Sequence, residues 1–120
     1  MNSRQVKRRI RAHLAYWIPA LGLSGWSITV RWSPRAMPVA RKRNPAGLCQ
    51  HQSDILQAVL MYNVRSMANL GYPERELEEV VVHELLHIVV VNGSERAVNT
   101  LAHALVELRR APAHSWEEAA

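Results

Sequence analysis

The chain of 120 residues is 48% hydrophobic, carries a net charge of +5 at neutral pH and contains one cysteine, Cys49. This length accommodates one domain with a single core and leaves no room for a separate substrate-recognition module. No apolar run has the length of a membrane span, and the basic N-terminus lacks the features of a signal peptide. A lone cysteine excludes an internal disulfide and a cysteine-based zinc site. We therefore expect a cytoplasmic protein that does not bind membranes.

The first predicted element is an amphipathic helix that runs from Ser3 to about Ile18 and ends at Pro19. Its apolar residues recur at helical spacing and form one side: Val6, Ile10, Leu14 and Trp17. Its basic residues surround that side: Arg4, Lys7, Arg8 and Arg11. We interpret this element as a helix that packs on a sheet and keeps its charged side in water, with binding of nucleic acid or of an acidic partner as the alternative.

Three strands are predicted to follow. Residues 26–32 alternate between apolar and polar side chains, which is typical of a strand. Two further strands are predicted at Gly47–Gln52 and Ile55–Tyr62, with a tight connection at Ser53-Asp54. Together they indicate a three-stranded sheet that is mainly antiparallel or mixed. Residues 35–45 are predicted to form an exposed basic loop, which as an alternative contacts substrate or nucleic acid.

The next predicted element is one helix over residues 73–91, although its β-branched runs would suit a strand on propensity alone. The chain breaks before it at Gly71-Tyr72-Pro73, where Pro73 suits the first helical position. Four glutamates near its start lie toward the positive end of the helix dipole, and Asn92-Gly93 supplies a stop.

An HExxH motif lies within this segment, formed by His83, Glu84 and His87. In a strand, residues four apart are separated by roughly 13 Å, whereas on a helix their Cβ atoms are about 5–6 Å apart. Only a helix therefore lets both imidazoles reach one zinc ion, with Glu84 beside a metal-bound water. Unpaired polar groups in so apolar a segment cost roughly 1–3 kcal/mol each, and a zinc site would explain all three.

A second helix is predicted from Glu95 to about Arg110, with Ser94 as its N-cap. Its apolar residues recur at helical spacing: Val98, Leu101, Ala102, Leu105 and Leu108. Glu95 belongs to this inward stripe. Because zinc in catalytic sites usually has three protein ligands, a residue of this helix is expected to complete the site.

Glu95 is the predicted third ligand, and two alternatives on the same helix stay open. His103 returns to the level of the motif if the two helices form a tight antiparallel pair, either as a ligand or as a group that steadies the oxyanion of the transition state. Glu107 has a separation from the motif that resembles that of the distal glutamate in thermolysin-like enzymes. Asn99 and His103 are candidates for contacts that orient the ligating histidines.

The motif from His83 to His87, followed by Glu95-Arg96-Ala97-Val98-Asn99, resembles the ImmA/IrrE-type metallopeptidases, which pair HExxH with a later ExxAN helix. The chain is also similar to small phage and prophage zincins, in which a short helix, a three-stranded sheet and two helices make a minimal gluzincin-like domain. The likeness covers about residues 73–108, with Val98 where the family usually has alanine. It implies zinc-dependent peptidase activity in the cytoplasm, often directed at a regulatory protein.

We therefore predict an α+β fold with an N-terminal helix, a three-stranded sheet, the HExxH helix and a second ligand-bearing helix. Residues 1–110 are expected to form one zincin-like domain, followed by a flexible tail at 111–120. The predicted cofactor is Zn²⁺ and the predicted substrate is a peptide or protein, cleaved by a zinc-activated water with Glu84 as general base and then general acid. An edge strand is expected to bind the peptide backbone. The alternative function is a catalytically silent zinc-binding domain or a nucleic-acid-associated interaction domain.

Overall fold

A computed structural model describes residues 1–33, 46–90 and 92–111. It confirms an α+β fold in which an N-terminal helix precedes a three-stranded sheet and the C-terminal helices follow it. The elements in chain order are α1 Ser3–Ala20, β1 Ser27–Trp32, β2 Gly47–Gln52, a 3-10 turn Ser53–Ile55, β3 Gln57–Tyr62, α2 Val64–Asn69, α3 Glu74–Val89 and α4 Glu95–Arg110. The predicted basic loop at 35–45 and residues 112–120 of the predicted tail lie outside the described residues.

The sheet is mixed, which is one of the two arrangements predicted. Its strand order is β1-β3-β2, so β3 is central among the described strands. β1 runs parallel to β3, with Ser27 opposite Gln57, and β2 runs antiparallel to β3, with Gly47 opposite Tyr62. β2 therefore lies at one edge, and it is the strand that packs beside α3.

Several element boundaries differ from the prediction. α1 continues through Pro19 to Ala20, because a proline in the last turn removes only its own N–H, and the chain still closes with a hydrogen bond from the Leu21 N–H to the Trp17 carbonyl. β3 begins at Gln57 rather than Ile55, since the connection is a 3-10 turn that ends at Leu56 in the left-handed region with φ 52°.

The prediction missed α2 and shifted the start of α3 by one residue. α2 begins where the Asn63 side chain accepts a hydrogen bond of 3.0 Å from the Ser66 N–H, a cap that was not predicted. Pro73 is the extended N-cap of α3 rather than its first helical residue, and α3 ends at Val89.

The core lies between the sheet and the helices. The four apolar residues predicted to form the inner side of α1 are all buried: Val6, Ile10, Leu14 and Trp17. On α4 the prediction was partly wrong. Val98, Ala102 and Val106 are buried, whereas Leu101 and Leu108 are exposed, because α4 contacts α3 along a narrow stripe of residues four apart.

A buried carboxylate joins three helices. Glu78 on α3 is 1% exposed and accepts a hydrogen bond of 2.7 Å from the Trp17 indole N–H on α1, as well as hydrogen bonds from Arg109 and Arg110 at the end of α4. Burial by itself raises the pKa of Glu78, but the hydrogen bonds from Trp17, Arg109 and Arg110 outweigh it and hold that pKa below its usual value. This cluster fixes α4 against α3, and α4 carries Glu95. Across the described residues no helix is both long enough and apolar enough to cross a membrane.

Candidate metal centre

The two histidines of the motif lie side by side on the cleft face of α3. Four residues of helix bring them to successive turns, with their ring centroids 4.8 Å apart and the planes at 73°. The Nε2 atoms of His83 and His87 are 3.1 Å apart, and both side chains are partly exposed. The predicted helix therefore brings two imidazole nitrogens to one point in the cleft.

Glu95 reaches the same point from the first turn of α4. The chain reverses direction after α3, with Asn92 in the left-handed region at φ 71°, and Ser94 caps α4 by accepting a hydrogen bond of 3.1 Å from the Ala97 N–H. The reversal is tight at Gly93, where a Cβ would lie 2.8 Å from Cγ1 of Val90. The short connection thus returns the start of α4 to the last turns of α3.

The three side chains converge closely. Glu95 Oε2 lies 3.0 Å from Nε2 of His83, and Glu95 Oε1 lies 2.9 Å from Nε2 of His87. Atoms held by one tetrahedral zinc at about 2.0–2.1 Å lie about 3.4 Å from one another, which is close to these separations. Two imidazole nitrogens and a carboxylate oxygen are also a donor set that suits zinc. The residues present therefore fit a zinc ion.

The two alternative third ligands lie elsewhere. His103 Nδ1 is 2.9 Å from a carboxylate oxygen of Glu79, and Glu107 forms an ion pair with Arg75. Across residues 1–33, 46–90 and 92–111, the structure brings one set of three metal-ligating side chains within 4.8 Å of one another, and it consists of His83, His87 and Glu95.

Burial favours the protonation state that a ligand needs at His83. Burial lowers the pKa of His83 below its ordinary value, outweighing the raising effect of the Glu95 carboxylate and of a hydrogen bond with Asn99. A neutral imidazole is the form that binds a metal. Asn99 thus contacts one of the candidate ligands, whereas His103, the other candidate for orienting a histidine, contacts Glu79 instead.

Glu84 lies beside the three candidate ligands but is not one of them. Its side chain is buried, and its Oε2 is 4.0 Å from Nε2 of His83. Burial, with a smaller contribution from the Glu95 carboxylate, raises the pKa of Glu84 to about 8. The carboxylate packs against Gly47 at the start of β2, where a Cβ would lie only 2.8 Å from Cγ of Glu84. A glycine at this position leaves room for the carboxylate between strand and helix.

A cleft of about 530 Å³ opens over the site, between β2 on one side and α3 and α4 on the other. Its walls include residues that were not predicted to belong to the site: Gly47, Leu48, His51, Tyr72, Val80 and Ala102. Cys49 also lines it, and burial raises the pKa of its thiol to about 12, so the thiol stays protonated at neutral pH. In the sequence, the one feature that could have indicated that β2 forms a wall of the cleft is Gly47 at the start of this strand.

Comparison of the chain with protein-family models, with curated proteins and with solved structures gives no significant match.

Replacement of Gly47 by alanine tests the contact between β2 and Glu84. The added methyl group is expected to displace the Glu84 side chain, and a misplacement of about 1 Å in a catalytic group costs on the order of 10²-fold in rate. If Glu84 is the catalytic base that the sequence predicts, peptide hydrolysis should fall by about that factor, while zinc affinity stays within a few-fold of wild type. Gly25→Ala is the matched control, because a Cβ at Gly25 meets nothing within 4 Å. Equal activity of the two variants would show that the contact does not position Glu84.

Proposed function

We propose that the protein is a zinc-dependent peptidase of the zincin kind, with His83, His87 and Glu95 as the metal ligands and Glu84 as the general base. The observation that carries this proposal is the meeting of two imidazole nitrogens and one carboxylate within about 3 Å, beside a second, buried carboxylate in an open cleft. Structural zinc sites are closed by four protein ligands, whereas the set found among the described residues has three members, which leaves a position for water. The donor set therefore favours catalysis over a purely structural role.

The carboxylates of Glu95 and Glu84 have different roles in this mechanism. A bound zinc ion supplies Lewis acidity, which lowers the pKa of a water molecule and polarises a carbonyl group. Glu95 and the two histidines would hold the metal. Glu84 accepts a proton from the attacking water and then donates that proton to the departing amine, because its position next to the ligands gives it access to both. Burial raises the pKa of Glu84 to about 8 in the metal-free protein, and a zinc ion on the neighbouring ligands would lower that pKa and favour the carboxylate form that accepts a proton.

The sheet supplies a surface for the substrate backbone in this proposal. Of the two edge strands, β2 lines the cleft and β1 does not. An extended peptide that adds to an exposed sheet edge is held by main-chain hydrogen bonds, so it is recognised with little dependence on its sequence. We assign this role to β2, which pairs with β3 along one side only among the described strands. The cytoplasmic location expected from the sequence is part of the same proposal.

The experiment that tests the proposed function is a cleavage assay with a pool of fluorogenic peptides. We expect the zinc-loaded protein to hydrolyse part of the pool, 1,10-phenanthroline to abolish the activity, and added Zn²⁺ but not Mg²⁺ to restore it. Mass spectrometry of the products should show hydrolysis at internal peptide bonds. A zinc-loaded protein that leaves the whole pool intact, or that gives the same products after chelation, would contradict the proposal.

A further inference from the structure

A stripe of four basic residues on α1 takes no part in the candidate metal centre. Arg4, Lys7, Arg8 and Arg11, which we call the α1 basic stripe, follow the i, i+3, i+4, i+7 spacing of one helix face. They line a groove of about 410 Å³. Three of the four are exposed and Lys7 is partly exposed. The stripe is therefore a continuous positive surface.

No acidic group neutralises the stripe within the described part of the chain. The sequence of α1 contains neither aspartate nor glutamate. The neighbouring Arg9, which lies outside the stripe, forms an ion pair of 2.5 Å with Glu74, whereas no ion pair joins a stripe residue to a described carboxylate. A basic helix face that only keeps its helix in water is usually interspersed with opposite charges. Four uncompensated cations in one groove instead favour an external anion.

Trp32 at the end of β1 holds part of the stripe in place. Lys7 Nζ lies 5.6 Å and the Arg11 guanidinium carbon 5.2 Å from the centroid of an indole ring of Trp32. Cations over an aromatic face are attracted to it, and their stems lose conformational freedom before any ligand arrives. Part of the ordering cost of binding is therefore met in the folded protein.

The geometry points to the phosphodiester backbone of a nucleic acid, and we propose that the α1 basic stripe binds it without reading the base sequence. The stripe covers eight residues of helix, a rise of about 10 Å at 1.5 Å per residue, which matches about three intervals of 3.4 Å between successive phosphates of one strand along the duplex axis. Its members are lysine and arginine, the side chains that neutralise phosphates and release counterions.

An anionic membrane surface fits the stripe less well. A helix that lies in a bilayer interface needs large apolar side chains beside its basic ones. The large aliphatic residues of α1 instead face the core: Val6, Ile10 and Leu14 are buried. Tyr16 is exposed, but the guanidinium of Arg109 lies 3.6 Å from its ring centroid and covers that face. The outer side of α1 therefore offers charge without an apolar surface to insert.

The test is the salt dependence of binding to a fluorescein-labelled 30-base-pair duplex of random sequence, measured by anisotropy on the full chain. With about three phosphates neutralised, the slope of log K against log salt is expected to be about −3. Arg4→Gln/Arg8→Gln should weaken binding at 50 mM KCl by on the order of tenfold or more and reduce the slope by about 2. The matched control, Arg31→Gln/Arg65→Gln, removes the same charge from exposed positions on β1 and α2 and should change the slope by less than about 0.5.

Equal losses of duplex affinity in the two double variants would show that net charge alone drives binding. Unchanged affinity in Arg4→Gln/Arg8→Gln would show that the duplex binds at another surface. Either result overturns the proposal. Tighter binding to polyglutamate or to phosphatidylserine vesicles than to the duplex would identify another partner and overturn it as well. Melting curves verify that the variants fold. Since the stripe needs no metal, EDTA should leave duplex binding unchanged, so failure of the proposed peptidase function would not be confused with failure of this inference.

Discussion

Replacement of Glu84 by glutamine is expected to lower kcat/KM for peptide hydrolysis by about 10³-fold, within the range that general acid–base catalysis contributes, while the protein keeps its fold and its zinc. The amide has the shape of the carboxylate but cannot accept the proton of the attacking water. Glu84 is not among the three side chains that converge as candidate ligands, so zinc affinity should be unaffected. The measurement compares steady-state hydrolysis with zinc content for the same preparation.

Glu79→Gln is the matched control for this variant. Glu79 lies on the same helix and lines the same cleft, but its carboxylate contacts His103 rather than the candidate ligands. We expect kcat/KM of the control to stay within a few-fold of wild type. If Glu84→Gln and Glu79→Gln had equal activity, the general base would be another group, and the catalytic part of the proposal would be wrong.

Replacement of Glu95 by alanine should weaken zinc binding by at least about 100-fold. Loss of a residue that merely orients a ligand typically costs 10–100-fold in metal affinity, so the loss of a direct ligand is expected to cost at least as much. The Glu95 side chain is 70% exposed and its helix is anchored at the far end by Glu78, so the variant should fold. Competition with a fluorescent zinc chelator measures the affinity.

The two alternative ligands on α4 serve as controls for Glu95→Ala. His103 and Glu107 contact Glu79 and Arg75 respectively, so His103→Ala and Glu107→Ala should each keep zinc affinity within a few-fold of wild type. A loss of zinc in either variant that equals the loss in Glu95→Ala would move the third ligand to that residue.

The parts of the candidate site that depend on local spacing could be predicted from the sequence. The four-residue separation of His83 and His87 has one geometric solution that brings both imidazoles together, and that solution is a helix. The cap at Ser94 and the apolar spacing of α4 set where the next helix begins, which placed Glu95 at its first position. Residue spacing and helix capping therefore determine which side chains can converge on one point.

The features that depend on distant partners could not be predicted. Glu78 is one of four glutamates within residues 74–79, and its burial depends on Arg109 and Arg110, more than 30 residues further along the chain. Likewise, the parallel pairing of β1 with β3 and the exposure of Leu101 depend on how whole elements dock. Periodicity identifies an apolar face but not its width, because the neighbouring helix decides how much of that face is covered.

Zinc-edge anomalous diffraction from a crystal grown with one equivalent of Zn²⁺ tests the central proposal most directly. We expect one anomalous peak, bound by Nε2 of His83 and of His87 at about 2.0–2.1 Å and by a carboxylate oxygen of Glu95 at about 2.0–2.2 Å. The Glu84 carboxylate should lie beside the ion without binding it. A peak held by other residues, or no peak between the two histidines, would contradict the account.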